Sequence, residues 1–148
     1  MNNVMRTEFS ALAENEAFAR AAAAAFVMPL DPTVEELTEI KTAISEAVSN
    51  SIIHGYGAWE DKSEAKVVME CTVFDGGKVV IIIEDKGEGI ENVPKAMEPL
   101  FSTGDDEERS GMGFTDMESF MDKLKVKSEK GEGTTVIMTK YLDIVSGI

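Results

Sequence analysis

The chain has 148 residues, 43% hydrophobic and 28% charged, with a formal net charge of −14. That length suits one domain, residues 1–148. The apolar fraction excludes a disordered chain, and the acidic balance argues against direct nucleic-acid binding, which needs a basic footprint. A single cysteine, Cys71, and a single histidine, His54, exclude an internal disulfide and a multi-histidine or cysteine-cluster zinc site, so a general base is expected to be a carboxylate.

No apolar run has membrane-spanning length, and the N-terminus shows no export signal. The expected compartment is the cytoplasm, with no membrane contact. Residues 4–11 (VMRTEFSA) alternate as a first strand does. Residues 14–30 (ENEAFARAAAAAFVMPL) predict a helix that Pro29 ends, with five alanines forming a close-packing face between Phe18 and Phe26.

Residues 31–57 predict a second helix. Thr33 and Glu36 have capping-box spacing, and Gly55 or Gly57 closes it. Leu37, Ile40, Ile44, Val48 and Ile52 form its apolar stripe. Glu46 and Asn50 lie one turn apart on a face roughly opposite Ile44. His54, at the helix end, is expected to bond terminal carbonyls rather than to act chemically, and Cys71 to be a small buried group.

Residues 65–90 predict a hairpin whose strands meet at Asp75-Gly76-Gly77 and whose second strand stops at Asp85. Periodicity then fades from Ile90 to Ser110, as in a functional lid. A short amphipathic helix follows Gly111-Met112-Gly113, using Phe114, Met117, Phe120 and Met121. A strand near 124–128 and a final strand at 134–142 complete the chain.

Four pieces stand out together: Glu46-x-x-x-Asn50 on a helix, Asp85-Lys86-Gly87-Glu88-Gly89 after a strand, Gly111-Met112-Gly113 before a helix, and Gly133-Thr134-Thr135 entering a strand. In this order they resemble the ATP-binding fold shared by gyrase B, heat-shock chaperones, histidine kinases and mismatch-repair ATPases. The stretches SEAVSNSIIHGY, DKGEGI, PLF, ERSGMGFTDME and GTTV are similar to those of the anti-sigma serine kinases of spore-forming bacteria. The fold this implies is α+β: a two-layer α/β sandwich of the Bergerat type, with a mixed, mostly antiparallel sheet covered on one face by helices and an ATP lid at about residues 90–110.

The resemblance also implies chemistry. ATP and Mg²⁺ are the cofactors, with Asn50 on the metal and Glu46 orienting or deprotonating an attacking hydroxyl. Asp85 accepts from the adenine amino group and Thr134 assists near the base. Gly87 and Gly89 leave room where backbone meets purine or ribose. Ser110, Gly111, Met112, Gly113 and Phe114 wrap phosphates, and Arg109 turns in to the γ-phosphate while the acids at 105–108 face outward.

With no phosphoacceptor-histidine segment or transducer domain recognised, the implied activity is that of a stand-alone protein serine kinase. It would bind and inhibit a sporulation sigma factor and phosphorylate that factor's anti-anti-sigma antagonist. A homodimer pairing through the edge of the first strand is implied. Glu16 and Arg20, four apart on the first helix beside the alanine tract, read equally as a partner-binding surface and as a solvent-facing ion pair. A general-stress sigma kinase, an ATP-gated binding module and a hydrolytic ATPase carry the same boxes.

Overall fold

The computed structural model describes residues 2–98 and 113–143. The segments read as strands become five strands: β1 (Asn3–Ser10), β2 (Lys66–Val73), β3 (Lys78–Asp85), β4 (Lys123–Glu129) and β5 (Gly133–Tyr141). They form one sheet in the order β1-β2-β3-β5-β4, and all its pairings among the described residues are antiparallel. The helices are α1 (Asn15–Val27), α2 (Val34–Asn50), the single turn α3 (Val93–Ala96) and α4 (Phe114–Phe120). None of the described helices is long and apolar enough to cross a membrane.

The core follows from strand parity. Side chains alternate across a sheet, so Val67, Met69 and Cys71 of β2, Val79, Ile81 and Ile83 of β3, and Val136 and Met138 of β5 share one face. All are buried. Met69 opposes Ile83, and Ile81 lies between Cys71 and Met138, so these side chains stack across strands. Burial pushes the Cys71 thiol up to about 12, which leaves it an inert apolar group.

Helix α2 lies between α1 and α4 on this face. Ile40, Ile44 and Val48 form its buried stripe, while Leu37 and Ile52 at the ends of the expected stripe are only partly covered. Ala19, Ala23 and Val27, each one turn from the next, are the buried face of α1. Within the alanine tract Ala23 is buried, whereas Ala21 and Ala25 face solvent. The capping box forms as expected: Glu36 N–H donates to Thr33 Oγ1 at 3.0 Å and Thr33 N–H to Glu36 Oε1 at 2.9 Å.

Three boundaries differ from the sequence reading. Helix α1 stops at Val27 and is followed by a 3₁₀ turn, Met28–Leu30, because Pro29 cannot continue the α ladder. Helix α2 is α-helical only to Asn50, and Ser51–Gly55 form a π turn. In the segment expected to be irregular, α3 forms at 93–96 with its N-cap on Asn92. From residue 99 onward that segment, the acidic run included, lies outside the described residues.

Ile44 is wholly buried, and Val34 on the same helix is 84% exposed. Ile44→Ala is expected to lower the unfolding free energy by about 2–5 kcal/mol, against less than about 0.5 kcal/mol for Val34→Ala. Urea unfolding of both variants checks this.

Candidate functional site

Asp85 continues the parity of Val79, Ile81 and Ile83, so its side chain also faces the helices, at the end of an apolar row. It is only 4% exposed. Burial raises its pKa, while hydrogen bonds from the Ser51 hydroxyl and the Gly87 and Thr134 backbones pull the other way. Ser51 Oγ donates to Asp85 Oδ2 at 2.7 Å and Gly87 N–H to Oδ1 at 2.9 Å. Desolvation wins, and the carboxyl stays above the ordinary aspartate range.

The π turn brings Ser51 to that carboxylate. Tyr56 N–H donates to Ser51 O at 3.0 Å, five residues back, instead of making the α-helical bond. Such turns add a residue to the helical repeat, and they recur at functional sites. Tyr56 itself is buried as a strut. Its hydroxyl donates to Lys66 O at 2.6 Å and accepts Lys86 N–H at 2.7 Å, with its ring edge-on to Trp59 at 4.7 Å between centroids.

The segment after β3 is therefore pinned on several sides. Glu88 N–H donates to Gly55 O at 2.7 Å, Ile90 N–H to Ser128 Oγ at 2.7 Å, and Gly131 N–H to Glu88 O at 2.6 Å. Gly87 has no room for a side chain, because a Cβ there would meet the Gly55 carbonyl. Gly89 is packed as closely against the Glu129 carbonyl.

These elements enclose one pocket. Asn50, Ser51, His54 and Gly55 line it from the end of α2 and the π turn, Asp85, Thr134 and Val136 from the sheet, Gly89 and Ile90 from the segment after β3, and Phe114 from α4. Five of the residues expected at the site, Asn50, Asp85, Gly89, Phe114 and Thr134, are thus brought together. Gly87 stands behind Asp85. His54 is exposed and lines the pocket.

Glu46 is one turn from Asn50 and does not line the pocket. It lies beneath Gly113, whose φ is +60° and whose Cβ, if present, would meet the Glu46 carboxylate. Only glycine combines that backbone conformation with that approach. Arg109, Ser110, Gly111 and Met112 lie outside the described residues.

Glu16 and Arg20 join α1 to α2. Arg20 donates to Glu16 Oε1 at 2.6 Å and to Ser45 Oγ at 3.1 Å, and Ser49 Oγ donates to Glu16 Oε2 at 3.0 Å. The pair is a bridge between helices with one side in solvent, rather than a free surface pair. The sequence reading missed Ser51, Tyr56 and Ser128. Ser51 follows Asn50 directly, but no local pattern marks it, and the other two act only through partners distant in sequence.

Partial burial, together with the Asp116 and Glu16 carboxylates, pushes Glu46 above the ordinary glutamate value of 4.5. A carboxyl whose pKa is raised on folding loses stability as the pH climbs through its folded value. Glu46→Gln is therefore expected to be more stable than wild type at about pH 8 and to lose that advantage on acidification toward 4.5. Urea unfolding across that range checks the sign, and an advantage that grows on acidification contradicts the electrostatic placement of Glu46.

A family model described as a histidine kinase-like ATPase domain matches residues 9–140. An anti-sigma F factor of Clostridium botulinum (strain Eklund 17B / Type B) is 54% identical over 144 residues, spanning 97% of this chain and 98% of that protein. One from Priestia megaterium is 52% identical over 142 residues, spanning 96% and 95%. Among solved structures, the RsbU and RsbW domains of a Mycobacterium tuberculosis protein align at a TM-score of 0.68 and 19% identity, over 96% of this chain and 32% of that one. The histidine kinase domain of a blue-light activated kinase from Erythrobacter litoralis aligns at 0.56 and 19%, over 86% and 60%. At these identities the structural likeness shows a shared fold, and the sequence identities carry the family: the chain belongs to the histidine kinase-like ATPases and, among them, to the anti-sigma F factors.

Proposed function

We propose that the protein is an ATP-dependent serine kinase that holds a sigma factor and phosphorylates that factor's anti-anti-sigma antagonist. The observation that carries this reading is the buried Asp85 carboxylate and Asn50 lining one pocket, in a chain 54% identical to anti-sigma F factors. A carboxylate that keeps acceptor capacity at the closed end of a pocket suits the adenine amino group. Gly87 and Gly89 bring the backbone close to the purine or ribose, and Thr134 lies beside the base. The backbone of Ser110, Gly111, Met112, Gly113 and Phe114 wraps the phosphates, with Arg109 at the γ-phosphate.

Asn50 offers one neutral oxygen. Among the described residues no group of three or more His, Cys, Asp or Glu side chains is placed to cage a metal. That donor set fits Mg²⁺ shared with phosphates and water, not an all-protein site. When bound, the ion offsets charge on the phosphate oxygens. Glu46 takes the proton of the attacking serine hydroxyl, and its raised pKa makes it a better proton acceptor near neutral pH than an ordinary glutamate. Glu16 and Arg20 form the partner-binding surface, and through Ser45 and Ser49 that surface adjoins the helix carrying Glu46. Homodimerisation uses the edge of β1, one of the two outer strands of the sheet among the described residues.

Incubation with γ-labelled ATP, Mg²⁺ and a candidate acceptor tests the reading. Label is expected on an acceptor serine, with the rate reduced about 100-fold or more by Glu46→Gln or Arg109→Ala. Retained nucleotide alone indicates a binding module, and free phosphate without labelled protein a hydrolytic ATPase. Arg20→Glu is expected to weaken capture of both partners at unchanged ATP affinity, and an unaltered pull-down removes that surface.

A further inference from the structure

We propose that Ser128 fixes the proton polarity at the base end of the pocket and so makes the site select a 6-amino purine over a 6-oxo purine. The inference rests on the nucleotide reading above and adds a residue which that reading does not use.

Ser128 sits on β4, half-buried, and its hydroxyl has three partners. Ile90 N–H donates to it at 2.7 Å, the Gly133 carbonyl lies at 2.9 Å, and Thr134 Oγ1 lies at 2.8 Å. A serine hydroxyl has one proton and two lone pairs. The amide can only donate and the carbonyl can only accept. The serine proton therefore goes to Gly133 O, one lone pair takes the Ile90 proton, and the other must take the proton of Thr134. The reverse polarity would set the Gly133 carbonyl against an oxygen lone pair with no proton between them, at a buried glycine.

The consequence reaches the pocket. Thr134 has a single hydroxyl proton, committed to Ser128, so toward a ligand its oxygen can only accept. Asp85 lies directly across the ladder from Thr134. Its protein partners, the Ser51 hydroxyl and the Gly87 and Thr134 backbone N–H groups, are all donors, so it too presents only acceptor capacity. Two acceptors side by side need a ligand edge that carries N–H. A 6-amino group brings two such protons, whereas a 6-oxo group brings an acceptor to face acceptors. Unpaired polar groups of this kind are where sites discriminate most strongly.

Ser128 also ties down Ile90, so its removal will loosen the segment after Gly89. That effect falls equally on any purine nucleotide, whereas the polarity effect appears only in the ratio between two bases. The test is therefore the ratio of ADP to IDP affinity, measured by calorimetry on the intact chain. Wild type is expected to prefer ADP. Ser128→Ala frees the Thr134 proton to turn toward an incoming oxygen, and the preference is expected to fall about tenfold. Ser128→Thr restores the hydroxyl and the preference with it. Thr134→Val lowers the ratio similarly, and the double variant with Ser128→Ala lowers it no further.

A Ser128→Ala ratio within about twofold of wild type, with ADP still bound, overturns the proposal. If Ser128→Ala binds neither nucleotide, an unchanged ratio in Thr134→Val overturns it instead. Failure of the wild-type chain to bind ADP overturns the nucleotide reading and this inference together.

Discussion

The site depends on one backbone-to-backbone approach, where the end of the helical layer meets the end of β3. The Gly55 carbonyl lies against Gly87 so closely that no side chain fits between them, and Glu88 N–H donates to that same carbonyl at 2.7 Å. Where these two segments meet, α2 has given way to the π turn Ser51–Gly55. That turn aims Ser51 at Asp85 and sends Tyr56 beneath the loop to hold Lys86. The described walls of the pocket are thus tied together by hydrogen bonds within the chain.

The electrostatics sort the acids by task. Burial would raise Glu36, but backbone hydrogen bonds from Thr33 and Asp143 outweigh it and lower the pKa, so this carboxylate supports the helix start and the end of β5. Burial also acts on Asp85 and Glu46, and there it prevails. The two raised carboxyls flank the end of α2, one lining the pocket and the other beneath Gly113. Carboxyls raised by desolvation beside a pocket recur at functional sites. Among the acids of the described residues, it is environment and not residue type that separates these two.

Much of this was legible in the sequence. The Val- and Ile-rich runs on either side of Asp75-Gly76-Gly77 marked the central hairpin, but KVVIIIED is apolar at five successive positions, so the face on which Asp85 lies is settled by the fold and not by the sequence pattern. The capping box placed the start of α2 correctly because its two hydrogen bonds are local. The π turn was not legible: Ser-Ile-Ile-His-Gly continues the helical spacing, and only the distant Gly87 shows why the ladder breaks. Arg20 read equally well as a surface ion pair, since Ser45, 25 residues away, is invisible to local spacing. Ser128 was missed for the same reason, being 38 residues from Ile90. Residues whose function rests on parity or spacing can be read from sequence, and those that act by joining distant backbone cannot.

The most direct test is an amide NMR titration of the intact chain with Mg-ADP. The account predicts the largest shifts at Ser51, Gly55, Gly89 and Val136, which line the pocket between α2 and β3. Shifts centred instead on Glu84, Val93, Lys127 and Thr135, around the wider hollow beside α3, would contradict it.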